Sequence, residues 1–192
     1  MDAGQSHDLS PTAVDEISGW CVEAMRDAHR HMADAESAFT PAQLASGTVS
    51  LVFDTTPLLA ELIGKITDSH QLAGMEVAAS FYAYMAGKFA DAAAGLPLLD
   101  GQQNRRVTLI FEDENGETVG ADEVDLTPRL VGQFFAAIAA RDSGTAHALW
   151  LACIEQGPQE TLEFLGELFV FALRTQQHLR HLRKPRGEPG AN

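Results

Sequence analysis

A chain of 192 residues and 20.7 kDa, 45% hydrophobic and carrying a formal charge of −14, is long enough to bury a core without disulfide or metal staples. That composition excludes whole-chain disorder, and the acidic balance disfavours binding to polyanions such as nucleic acid. The longest weakly charged stretch, 71–96, is broken by Glu76, Lys88 and Asp91, which excludes a membrane span of roughly 20 nearly uncharged residues.

Ser10-Pro11, Thr40-Pro41, Thr56-Pro57 and Thr127-Pro128 each place a hydroxyl where a helix is capped and a proline where its missing N–H costs nothing. From Pro11 to about Ala38, Val14, Ile17, Cys21, Ala24, Met25, Ala28, Met32 and Ala35 recur at helical spacing and predict one long amphipathic helix. A short helix through about Phe53 follows, with a strand over 48–53 as the alternative, since TVSLVFD also alternates. Pro57 to Thr67 reads as the next helix, ended or re-capped at Asp68-Ser69. Its successor, Gln71 to Ala94, has one apolar face with Leu72, Met75, Ala79, Tyr82, Ala86 and Phe89, and a second with Val77, Phe81, Tyr84 and Met85. A helix apolar on two sides is central or lies at a subunit interface.

The period then changes. VTLIFEDENGETVGADEV predicts a β-hairpin within 106–125. A three-residue loop, Glu114-Asn115-Gly116, sets Phe111 against Val119 and Leu109 against Ala121, whereas a two-residue turn opposes Leu109 to Asp122. Helices over Pro128–Arg141, Thr145–Gln156 and Pro158–Arg183 complete the chain. The expected architecture is mainly α: about six helices in a packed, bundle-like single domain over 10–184, with one inserted hairpin. It becomes α+β if 48–53 adds a third strand. Residues 1–9 and 185–192 are expected to be disordered.

Cys21 and Cys153 fall inside apolar helical patterns, as buried thiols of a reducing compartment do, and no signal peptide is expected; together these predict a cytoplasmic protein. No phosphate-cradling glycine motif or Gly-x-Ser-x-Gly turn is present, and no cofactor is predicted. His29 and His31 accompany Glu23, Asp27 and Asp34, but this set lies opposite the apolar stripe and reads as a solvated face. No histidine has Glu three residues before it, as di-metal bundles require. Seven acidic residues between Glu112 and Asp125 suggest calcium, yet an EF-hand alignment on Gly116 puts Phe111 at the first ligand position. No metal site is predicted.

Two places remain as candidate ligand-binding sites. His147, among Leu149, Trp150, Leu151 and Ile154, is expected to be buried in the most apolar helix. The last helix, apolar nearly all round from Leu162 to Leu173, leaves a polar strip of Glu163, Glu167, Arg174, His178 and His181. It reads as the solvent side of a packed helix or as the lining of a polar cavity, in which Arg174 and His178 could grip an anionic ligand with Glu167 as a further candidate beside them. Charge divides the chain unevenly: eight basic residues against 26 acidic ones through Leu173, then five against one. That basic end reads as a helix terminus complementing its own dipole, not as a nucleic-acid arm.

The sequence therefore predicts a protein acting through protein–protein interaction as a homodimer, the surplus apolar surface of the helices at 71–94 and 158–183 being buried between copies. The alternative is a small-molecule binder or enzyme with an interhelical pocket. Whether the chain is an enzyme is left open by its sequence.

Overall fold

The computed structural model describes residues 9–37, 55–94, 111–112, 117–120 and 122–183. The fold is mainly helical. Among the described residues, in chain order, lie α1 (Pro11–Ser37), α2 (Thr56–Ala93), β1 (Phe111–Glu112), β2 (Thr118–Val119), α3 (Leu126–Ala139), α4 (Ser143–Gln156) and α5 (Pro158–Arg183). The short helix expected to end near Phe53, its strand alternative over 48–53 and half of the hairpin expected over 106–125 fall outside the described residues. The part that is described pairs antiparallel, with Phe111 opposite Val119 and Glu112 opposite Thr118.

The chain divides into two compact units, Met1–Phe81 and Tyr82–Asn192, and α2 contributes residues to both. In the first unit, α1 begins where its proline predicts. The Ser10 side-chain oxygen accepts from the Ala13 N–H at 3.2 Å, and the Ser10 carbonyl accepts from Val14 at 3.1 Å. Ile17, Cys21, Ala24, Met25 and Ala28 are buried, so the predicted stripe is the core face of this helix.

In α2, Leu62, Ile66 and Met75 are buried. His70 meets Glu16 and Trp20, whereas Lys65 meets Glu23, so positions fall along α2 as they rise along α1 and the two helices run antiparallel. Gly74 eases this approach: a Cβ there would lie 3.3 Å from Ile17 Cδ1 of α1, and 2.7 Å from Ile66 Cγ2 of its own helix.

The break expected at Asp68-Ser69 does not occur, and α2 is one continuous helix. Neither proline nor glycine interrupts 66–73, so every backbone N–H stays available to the helix ladder. Leu72, assigned from sequence to an apolar face, is 52% exposed. Val77, Phe81, Tyr84 and Met85, the second predicted face, are only half-buried.

The second unit is organised by aromatic packing. Phe164 on α5 meets Phe134 of α3 edge-to-face, with centroids 5.4 Å apart, and Trp150 of α4 at 6.2 Å. Phe169, five residues further along α5, meets Tyr82 of α2 at 5.1 Å. All five rings are buried, and Leu165, Leu168, Ala172 and Leu173 fill the rest of the inward face of α5.

The connections are short. After α3, Arg141 takes a left-handed φ of 59° while its N–H donates to the Ile138 carbonyl and that of Asp142 to Ala137, which closes the helix. Asp142 then caps α4: its carboxylate accepts from the Thr145 N–H at 3.0 Å and from the Thr145 hydroxyl at 2.7 Å. The helix thus starts two residues before the expected Thr145. Gly157 alone joins α4 to α5, at φ 135°, where a Cβ would lie 2.8 Å from Glu160 Oε2. Only glycine accepts that backbone without strain.

Two outcomes follow for stability. Phe164→Ala should lower the unfolding free energy in urea by about 3–5 kcal/mol, because it removes the ring shared by three helices. Asp142→Ala should lower the Tm at neutral pH. The Thr145 backbone N–H, followed by its hydroxyl, holds the Asp142 carboxyl below its usual range. A depressed carboxylate stabilises above its unfolded pKa, roughly 4, and this contribution is lost as pH falls through the folded value. The Tm difference between Asp142→Ala and wild type should therefore close on acidification.

Candidate functional site

Each place singled out by sequence has a definite setting. His147 is exposed, contrary to expectation. The face of α4 that packs inward is Ala146, Trp150 and Cys153, and His147 falls one position outside that stripe. Leu151 is also exposed, so α4 is packed on one side only, not deeply around its circumference.

His29 errs in the other direction. Expected on the solvated face of α1, it is 8% exposed, and its Nδ1–H donates to the Met25 carbonyl at 2.8 Å. It follows Ala28 at the edge of the core stripe, and that hydrogen bond inside its own helix lowers the cost of burial. Asp27 pairs with Arg30 at 3.1 Å, whereas His31 is exposed. Among the described residues no group of three or more His, Cys, Asp or Glu is arranged to hold a metal ion.

Between α1 and α2 lies a cleft of about 50 Å³, lined by Trp20, Glu23, Asp27, Leu58, Glu61 and Lys65 among others. Small-molecule pockets are roughly 300–1,000 Å³, so this cleft is far below that size. Its polar groups are engaged with one another: Lys65 lies 2.8 Å from Glu61 and 3.8 Å from Glu23. The hydrogen bond to Glu61, more than any other influence, holds the Lys65 ammonium above its ordinary pKa. The cleft is a small, net acidic seam in which Lys65 is shared by Glu61 and Glu23.

Cys153 does not resemble a nucleophile. Burial pushes its thiol pKa up, and its Sγ donates only a long contact, 3.8 Å, to the Glu160 carbonyl.

The outward face of α5 differs from all of these. With Phe164, Leu165, Leu168, Phe169, Ala172 and Leu173 turned inward, the helical period turns Glu163, Glu167, Phe171, Arg174 and His178 outward, and all five are exposed. The predicted polar strip is thus the solvent side of the helix; it does not line a cavity. Gln159 donates to Glu163 at 3.0 Å, but among the described residues Glu167, Arg174 and His178 have no hydrogen-bond or ion-pair partner.

Phe171 interrupts this strip. It is 36% exposed, and its ring meets half-buried Phe135 of α3 edge-to-face at 5.2 Å. In the sequence both rings merge into general apolarity. The signal for Phe171 lies in its spacing, four residues after Glu167 and three before Arg174. Phe135 carries no such mark beside Phe134.

The strip therefore joins acidic groups in its N-terminal half, an aromatic pair at its centre and basic groups in its C-terminal half. It brings together Glu167, Arg174 and His178 and leaves His147 on another helix. Aromatic and arginine side chains exposed together are enriched where proteins meet.

The chain matches no family model, no curated protein and no solved structure. Among the described residues, no helix is long and apolar enough to cross a membrane.

Because Glu167, Arg174 and His178 make no hydrogen bond or ion pair among the described residues, replacing each singly with Gln should change the unfolding stability of the single chain, measured at a concentration too low for association, by no more than about 0.5 kcal/mol. Urea denaturation checks this; a larger loss in any one would show that the side chain serves the fold.

Proposed function

We propose that the protein works by association with protein, first of all with itself as a homodimer, through the outward face of α5. The observation that carries this reading is exposed Phe171, packed on half-buried Phe135, beside charged side chains with no hydrogen-bond or ion-pair partner among the described residues. A ring of this kind is well suited to anchor a contact, since aromatic groups contribute area with little conformational entropy lost. The half-buried Tyr84 and Met85 of α2, in the same unit as α5, add apolar surface that association can cover.

The acidic body gives the association selectivity. A partner must present a complementary patch to overcome the repulsion of a chain carrying −14. A cytoplasmic setting belongs to this reading, because Cys21 and Cys153 are buried thiols outside any disulfide, of the kind a reducing compartment preserves.

A pocket-based activity has less support. The candidate side chains His147, Arg174 and His178 are all exposed, and the α1–α2 cleft is too small for a metabolite.

Sedimentation equilibrium tests the reading. The wild type should be dimeric at tens of micromolar, and Phe171→Gln should be monomeric there while keeping its far-UV circular dichroism. A wild type that stays monomeric at 100 µM would overturn it.

A further inference from the structure

The outward strip of α5 has an internal symmetry of charge. Glu163 and Glu167 precede its centre, Arg174 and His178 follow it, and Val170 and Phe171 straddle it. Consider a second copy of α5 lying antiparallel about a two-fold axis between Val170 and Phe171. Each residue then faces the one equally far on the other side of that axis. Glu167 faces Arg174 of the other copy, Glu163 faces His178, and Val170 faces Phe171.

The offsets from the axis are three and a half and seven and a half residues, close to one and two helical turns, so these side chains share the contact face. We propose that this face is an isologous dimer interface in which α5 packs antiparallel on α5 of a second copy in that register. The proposal rests on the homodimer reading above and assigns its geometry.

Competing arrangements fare worse for a physical reason. In a parallel two-fold pair every residue faces its own copy, which sets Glu167 against Glu167 and Arg174 against Arg174. Sliding the antiparallel pair by four residues in one direction keeps only Glu167 opposite His178, and in the other only Glu163 opposite Arg174. The centred register alone satisfies both acidic positions and sets Phe171 against an apolar neighbour. The exposed charges thus act chiefly to fix orientation and register, while the central rings supply buried area.

Charge reversal on the full chain tests this. E167R and R174E should each weaken dimerisation about tenfold or more, because one substitution turns both symmetry-related Glu–Arg pairs into like-charge pairs. The double variant E167R/R174E has the net charge of the wild type and restores both pairs with their signs exchanged. Its dissociation constant should return to within about threefold of wild type.

Net charge by itself predicts otherwise. E167R makes the acidic chain less negative and should then strengthen dimerisation, while R174E should weaken it. Thermal melts confirm that these exposed positions leave the fold intact. If the wild type dimerises and Phe171→Gln abolishes the dimer, yet the single reversals are tolerated or the double variant fails to recover, the register is wrong and the homodimer reading stands. A monomeric wild type removes both.

Discussion

The second unit depends on the burial of Phe164. That ring touches Phe134 of α3 and Trp150 of α4, so one side chain sets the position of α5 against both helices. The rotation of α5 about its own axis is set by the whole buried row that Phe164 begins, with Leu165, Leu168, Phe169, Ala172 and Leu173. With that row inward, a period of 3.6 residues leaves Glu167, Arg174 and His178 outside and puts Phe171, seven residues and so nearly two full turns from Phe164, at the border of the core face, where it is 36% exposed. The composition of the outer face is therefore a consequence of core packing, and so is the aromatic ring at its edge.

The first unit handles charge in another way. Where α1 and α2 approach, Lys65 sits between Glu23 and Glu61, and His70 meets Glu16 while stacking near Trp20. Glu23 of α1 and Glu61 of α2 share one cationic partner, Lys65, in that seam. On α5 the opposite signs are separated along one helix, with two turns, or about 10.5 Å, between Glu167 and Arg174. Charges so placed cannot neutralise each other within one helix but can do so across two copies.

Much of the helical architecture is legible because proline and hydroxyl residues mark helix starts and apolar residues recur at helical spacing. Ser10-Pro11 marks the start of α1 directly. Thr56-Pro57 and Thr127-Pro128 come within one or two residues, since proline is tolerated anywhere in the first turn, where no N–H is used. What fails depends on tertiary context. Asp68-Ser69 looks like a boundary but lies inside α2, because local capping preference yields when the helix ladder continues on both sides. His147 and His29 are each misplaced by a single position on a helical wheel, which is enough to exchange core for solvent. The strip of Glu167, Arg174 and His178 is legible as a strip, whereas its exposure becomes visible only once the buried row of α5 is known. Phe171 escapes notice because an apolar residue among apolar residues has no visible orientation until the core side of the helix is known.

The antiparallel register is tested most directly by site-directed disulfide formation in a background where Cys21 and Cys153 are replaced by Ala. In one chain positions 163 and 178 lie 15 residues apart on a helix, about 22 Å, and cannot bridge. Across the proposed axis they face one another. The register predicts that E163C/H178C oxidises to a covalent dimer on a non-reducing gel and that E163C and H178C singly do not. Covalent dimer from either single variant, or none from the pair while the protein sediments as a dimer, would contradict it.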